Sequence, residues 1–314
     1  MRLLMIGCTG FIGNELVPYL LRNGHHLTIV SRSKSRTFTK ELLSSKDITY
    51  LECNPAEESN WSKGALIDAL NAADGVINLA GEPIAERRWT SSHCQELVNS
   101  RLKTTRGIIK AMNQLKRPPR VLINASAIGF YGTSSDKNFT EESECGEDFL
   151  GTLCKQWEAA ATEKPKSTRL IILRIGIVLG KGGGALGKML PVFKAGLGGP
   201  IGDGSQWMSW IHRTDLCHIV QEGLTNKSWY GVINCVAPNP VSMNQFATSL
   251  GKNLGRPSLL AVPGPILKLL LGDGARVVLE GQKVESKKLN KLGYQFQYQE
   301  LNKALKAITQ MTKD

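Results

Sequence analysis

The sequence predicts an α/β fold organised around a parallel sheet, and three observations carry that expectation. Short β-like runs alternate with helical patterns, at RLLMI (2–6), HLTIV (26–30), ITYLEC (48–53), GVINLA (75–80), RVLINAS (120–126) and RLIILRIGIVLG (169–180). The first run leads directly into a glycine turn that opens a helix. With 314 residues and 41% apolar content, the chain is long enough to fill the core of one large α/β unit or of a large domain with a smaller cap.

The elements follow in order. Between the first two runs Ile12, Leu16, Leu20 and Leu21 recur at helical spacing, Gly24 supplies a stop, and Pro18 is expected to bend the helix locally. After residue 180 the pattern changes to GKGGGALGKMLPVFKAGLGGPIGDG, read as a structured loop with a short helix from about Ala185 to Ala195. Its large apolar residues set it apart from a disordered linker. Leu216, Ile219, Val220 and Leu224 then predict a helix, GVINCV a strand, and the remainder further helices.

Composition narrows the function classes. Seven cysteines form no CxxC pair and do not cluster with histidines, so neither a metal site nor a disulfide framework is expected. The net charge of +12 is scattered rather than gathered into a stripe, which favours a basic surface with a phosphate pocket over nucleic-acid binding. No run reaches the ~18 apolar residues of a membrane span, and MRLLMIG enters the glycine turn without a leader. The expectation is a soluble cytoplasmic protein, or a stromal one if the source is a photosynthetic eukaryote, with a small-molecule substrate and no nucleic-acid or membrane partner.

The turn Gly7-Cys-Thr-Gly10-Phe-Ile-Gly13 sits where a strand gives way to a helix. Glycines in that context permit a tight turn, close approach of main-chain N–H groups to a pyrophosphate, and packing of helix on strand. Gly7, Thr9, Gly10, Phe11, Ile12 and Gly13 are therefore candidate cofactor contacts. The second strand ends in Ser31 and Arg32 rather than in a carboxylate. A guanidinium there binds a ribose 2′-phosphate that a carboxylate would repel, so NADP(H) is expected over NAD(H), with Lys34 or Arg36 assisting or simply forming a solvated basic loop.

GCTGFIG, NLAG (78–81), SAIGFYG (126–132) and WIHRTD (210–215) together resemble an extended short-chain dehydrogenase/reductase, the group that contains nucleotide-sugar epimerases and dehydratases. NLAGEPIAERRW, the glycine-rich segment and the tail from VPGPILK are similar to its epimerase-like YfcH branch, sometimes labelled a cell-division inhibitor. The resemblance implies a Rossmann doubly wound parallel sheet over 1–180, also receiving about 207–238, and a smaller C-terminal substrate-side region from 181–206 and 239–314. It further implies that Leu79, Ala80 and Gly81 line the cofactor, with Asn54 near the adenine.

Members of that family typically move the substrate proton with a tyrosine whose pKa is lowered by a lysine one helical turn later. No tyrosine of this chain is followed four residues later by lysine. By resemblance Lys155 takes the lysine's place, Gly151 stands where the tyrosine is expected, and Arg101 replaces a common asparagine. Ser126 aligns with the first serine of the family's pair, as a catalytic or a capping group, and Ala127 with the second. Tyr131 is the substitute proton carrier or an aromatic wall; Lys155 contacts the nicotinamide ribose or is solvated.

On the substrate side, Glu82 is an anchor, a base or an exposed carboxylate. Gly183, between Gly182 and Gly184, forms an anion nest beside Arg174 and Lys188 or merely permits a crossover. Trp210, with Trp207, walls the site or packs in the core. Two functions follow: an NADP(H)-dependent epimerase-like oxidoreductase on a polar, nucleotide-linked substrate, or a cofactor-binding regulator or scaffold without catalysis, linked to cell or plastid division.

Overall fold

The structure is a computed structural model that describes residues 1–33, 38, 42 and 44–310. Seven strands form the central sheet: β1 (Arg2–Ile6), β2 (His26–Ser31), β3 (Ile48–Glu52), β4 (Gly75–Asn78), β5 (Val121–Ala127), β6 (Arg169–Ile175) and β7 (Gly231–Cys235). All neighbours pair in parallel, in the spatial order β7-β6-β5-β4-β1-β2-β3. The direction of winding reverses between β1 and β4, which opens a crevice at their carboxyl ends.

Burial on both faces explains the apolar strands. In β1, Leu3 and Met5 join one core with Leu16, Leu20, Ile219 and Val220, whereas Leu4 and Ile6 join another with Leu66, Leu70, Ile108 and Met112. The first core is covered by α1 (Gly13–Arg22) and the second by α2 (Ala65–Ala72) and α3 (Ser91–Gln114). Helix α1 runs through Pro18 without interruption. Helix α4 (Phe149–Thr162) packs beside α3, at the end of the sheet where β5 emerges.

The apolar run 169–180 is not one strand. It breaks at Gly176, where a Cβ would stand 2.6 Å from the Ser209 carbonyl oxygen. Ile177–Leu179 then pairs in parallel with Trp210–His212, away from the main sheet. A separate apolar core includes Leu179, Phe193, Trp210, Phe246, Leu250 and Leu305. It draws on α5 (Gly184–Lys194), α7 (Met243–Leu254) and the terminal helix Leu301–Gln310. Between α5 and α7, helix α6 (Arg213–Thr225) returns to the main core.

The C-terminal region closes over the crevice. Gln282 Nε2 donates to the Ile128 carbonyl at 2.9 Å, and Ser209 Oγ donates to the Gln282 carbonyl at 2.8 Å. These bonds strap residues 276–284 above the carboxyl end of β5. No helix among the described residues is long and apolar enough to cross a membrane.

Candidate active site

Three glycines shape the turn between β1 and α1, each for a different reason. Gly7 has a positive φ of 74°, and a Cβ there would stand 2.4 Å from the Ala80 nitrogen. A Cβ on Gly13 would sit 1.7 Å from the Cys8 carbonyl oxygen, so only glycine lets α1 pack this closely. Around Gly10 no described residue lies within 4 Å of the missing Cβ. The outer glycines hold the turn against its neighbours, and the middle one leaves an open approach to the N-terminal end of α1, as a pyrophosphate requires.

The end of β4 completes this half of the crevice. Leu79 donates its N–H to the Ile6 carbonyl at 2.8 Å, which keeps the NLAG segment alongside β1. Ala80 is buried behind Gly7, while Leu79 and Gly81 face the cavity together with Gly7, Gly10, Phe11 and Ile12. Ser31 closes β2, and the next residue, Arg32, is exposed and places Nη2 2.8 Å from Glu82 Oε1. Asn54 is occupied locally: its Nδ2 donates to Glu57 Oε1 at 3.0 Å and its Oδ1 accepts from the Ala56 N–H at 3.2 Å. Lys34 and Arg36 lie outside the described residues.

From the glycine turn a cavity of about 560 Å³ runs inward between α4 and the strapped C-terminal segment. Trp89, Phe149, Leu150, Leu153, Trp157 and Val277 make its walls predominantly apolar. Ser126, Cys154 and Arg101 also line it. Among the described residues no His, Cys, Asp and Glu cluster of three or more is arranged to hold a metal.

Helix α4 presents a different face from the one inferred by resemblance. The cavity-facing residues are Phe149, Leu150, Leu153, Cys154 and Trp157; Lys155 is exposed and does not line the cavity. The pair one turn apart that faces the interior is Leu150 and Cys154, shifted by one residue from Gly151 and Lys155. Gly151 has no room for a side chain, since a Cβ would stand 2.3 Å from the Gly146 carbonyl oxygen. Burial pushes the Cys154 thiol up to about 12, with Glu158 adding to the rise, so it carries its proton at neutral pH.

Tyr131 and Arg174 are placed behind the cavity wall, not on it. Arg174 Nε and Nη2 each donate at 2.8 Å to one oxygen of Glu158, while Nη1 donates to the Tyr131 hydroxyl at 3.0 Å. Tyr131 in turn donates to Asn234 Oδ1 at 2.6 Å and stacks on Phe139. Burial raises the Tyr131 pKa and Arg174 only partly offsets it, so the phenol is a poor proton carrier. Burial opposes the charge of Arg174, but the two bonds to Glu158 outweigh it and hold the guanidinium more basic than usual. Ser126 is the one predicted catalytic residue that meets the cavity, and its hydroxyl donates to Glu158 Oε1 at 2.6 Å.

The remaining substrate-side expectations divide. Trp210 is fully buried and donates from Nε1 to the Asn239 carbonyl at 3.0 Å, so it is core; Trp207 lines the cavity instead. Gly183 packs against Phe11, with 2.7 Å between its missing Cβ and the ring, and Lys188 donates to the Ala85 carbonyl at 3.1 Å. That stretch seats Phe11, and Gly184 also lines the cavity. The Glu82 carboxylate is held by Arg32, with Arg87 at 4.0 Å.

The sequence reading missed Leu150, Cys154, Trp89 and Glu158. A signal for the first two was present, since Leu150, Leu153, Cys154 and Trp157 form an apolar stripe at helical spacing that leaves Lys155 on the polar side. Trp89 and Glu158 had no such signal, because their roles depend on contacts across the chain. The buried amide network beneath the floor is also tertiary: Asn78 Nδ2 donates to Asn124 Oδ1 at 2.7 Å and to Thr105 Oγ1 at 2.9 Å, which also accepts from Trp157 Nε1 at 2.9 Å.

Comparison with known proteins places relatives along nearly the whole chain. Residues 262–308 match a model described as a domain of unknown function, DUF1731. The chain is 43% identical over 306 residues to the chloroplastic epimerase family protein SDR39U1 homolog of Arabidopsis thaliana, covering 97% of this chain and 85% of that one. It is 36% identical over 312 residues to the epimerase family protein YfhF of Bacillus subtilis, covering 98% of each. The crystal structure of human epimerase family protein SDR39U1 (isoform 2) with NADPH superposes with a TM-score of 0.86 at 36% identity, over 99% of both chains. Residues 3–235 match the model of the NAD dependent epimerase/dehydratase family, and with that match over most of its length the chain belongs to this family.

Proposed function

We propose that the protein is an NADP(H)-dependent oxidoreductase whose small-molecule substrate occupies the apolar cavity beside the glycine turn. The observation that carries this reading is continuity: the residues of the turn and the walls of the 560 Å³ cavity line one space. A substrate there would meet the inner end of a dinucleotide held at Gly7, Gly10 and Leu79–Gly81. The NADPH bound to human SDR39U1 supports the choice of cofactor, and Arg32 is the residue suited to its 2′-phosphate. In the structure Arg32 rests on Glu82, so binding exchanges one anion for another at the same guanidinium.

The bound dinucleotide would supply or accept hydride, and the chain's own groups would orient the substrate and handle its proton. The Ser126 hydroxyl donates to Glu158 and is also within hydrogen-bonding contact of Cys154, so a substrate hydroxyl would share the remaining acceptor capacity of its oxygen with the thiol. The bidentate bond to Arg174 holds Glu158 in place as the acceptor behind it. Burial keeps the proton on Cys154 Sγ. The apolar walls exclude water and favour an apolar substrate over the polar, nucleotide-linked one expected from the family resemblance.

Calorimetric titration tests the reading. NADPH should bind more tightly than NADH, and Arg32→Ala should erase most of the difference, about tenfold or more. Equal affinities would remove the NADP(H) assignment. Ligands carried through purification should then support a change in reduced-nicotinamide absorbance. Dinucleotide binding with no turnover on any of them, across pH, would leave the regulatory reading in its place.

A further inference from the structure

The charges around the cavity are unevenly matched. Near its outer end Arg276 is balanced by two carboxylates, Glu280 at 3.1 Å and Asp148 at 3.7 Å. On the α3 side stands Arg101, whose Nη1 donates to the Leu97 carbonyl at 3.0 Å and whose Nη2 donates to the Glu82 carbonyl at 2.9 Å. Its guanidinium carbon lies 5.3 Å from the centre of the Trp157 ring. Among the described residues no carboxylate forms an ion pair with it. The nearby carboxylate of Glu82 is turned to Arg32 and Arg87, so Arg101 receives only that residue's main-chain oxygen.

A guanidinium stays charged under all ordinary conditions, and an apolar wall is a costly place for a charge without a counter-anion. Burial lowers the pKa of Arg101, which reflects this cost. Two carbonyl oxygens occupy two of its five N–H donors, and the others have no hydrogen-bond partner among the described residues. Beside it a Cβ on Gly81 would stand 2.9 Å from Cζ, so glycine at that position keeps the NLAG segment close to the guanidinium.

We infer that the cavity selects a ligand with an apolar body and one carboxylate, the carboxylate seated on Arg101 and the body against Trp157, Trp89 and Leu150. This rests on the proposed oxidoreductase reading for its place in a reaction, but it is testable without the cofactor. A carboxylate suits the site better than a phosphate, because its planar pair of oxygens matches the guanidinium fork and one arginine balances one negative charge.

The experiment compares hydrocinnamate with its uncharged amide and with phenethylphosphonate, on the full chain. Binding is read by calorimetry and by quenching of the cavity tryptophans, with and without saturating NADP⁺. Hydrocinnamate should bind at least about tenfold more tightly than the amide and more tightly than the phosphonate. Arg101→Gln should bring the carboxylate and amide together, Arg101→Lys should retain part of the preference, and NADPH affinity in both variants should stay within about twofold of the parent.

Equal binding of carboxylate and amide by the parent protein would overturn the inference, with no variant needed. So would a loss of NADPH affinity in Arg101→Gln that matches its loss of hydrocinnamate, because Arg101 would then serve the cofactor. A parent that prefers the carboxylate but binds neither dinucleotide would instead defeat the oxidoreductase reading and leave the carboxylate site standing.

Discussion

The two halves of the crevice are built on different terms. At the glycine turn, contacts are made by main chain: Gly7 against Ala80, Gly13 against Cys8, and an open approach at Gly10. At the α4 wall, contacts are made by side chains, and the phenol and ammonium expected one turn apart give way to Leu150 and Cys154. A main-chain site tolerates change in the residues around it as long as its glycines remain. A side-chain site can change its chemistry while the helix that carries it stays in place. The cofactor half thus rests on backbone shape, and the substrate half is where the tyrosine and lysine expected from the sequence resemblance are missing from the cavity wall.

The largest expected effect comes from forcing the usual chemistry back by sequence register alone. Gly151→Tyr should destabilise the protein by more than about 4 kcal/mol, because its Cβ meets the Gly146 main chain. Leu150→Tyr, which enters the cavity, should cost under about 1.5 kcal/mol. Urea denaturation of both variants decides the register, and a stable Gly151→Tyr would reopen it.

Next in size is the support behind the wall. Arg174→Met strands the buried Glu158 carboxylate and should cost about 3–5 kcal/mol, with much of that recovered when Glu158→Met is added. If Arg174→Met melts with the parent, Glu158 does not depend on its partner and the wall is less constrained than the distances imply.

The smallest effect concerns the brace behind the glycine turn. Arg213 Nη1 donates to the Phe11 carbonyl at 3.0 Å, and Glu15 on α1 accepts from Arg213 Nε at 2.6 Å and from Thr214 Oγ1 at 2.5 Å. Adjacent His212 is buried, accepts the Thr214 N–H on Nδ1 at 3.2 Å, and lies against Tyr298. Burial lowers its pKa from 6.5 to about 4, with Glu15 opposing the shift. The unfolded chain therefore binds a proton more readily. The stabilisation is present above 6.5 and is lost as pH falls toward about 4, amounting to at most about 3 kcal/mol. His212→Asn retains a capping oxygen and should flatten this pH dependence in denaturant titrations; an unchanged slope would assign it to other groups.

The strands were legible because each is a short apolar run bounded by turns, and the glycine turn because its residues are local in sequence. The break at Gly176 was not, since it depends on Ser209 from another part of the chain. Arg174 and Tyr131 looked available by their position near strand ends, yet Glu158 and Asn234 claim them. Trp210 likewise gave no sign of which way it would face, and packing with Phe246 and Leu250 put it in the second core.

By itself, then, the sequence determined the alternation of strands and helices, the main-chain turn that suits a pyrophosphate, and the absence of a tyrosine paired with lysine. Those features follow from glycine stereochemistry, apolar spacing and residue identity, all of which are local. Tertiary structure alone decided the register of α4 against the cavity, the withdrawal of Arg174 into a buried ion pair, and the isolation of Arg101 from every carboxylate partner among the described residues. Each depends on which distant groups compete for the same hydrogen bonds and space, and chain order does not record that competition.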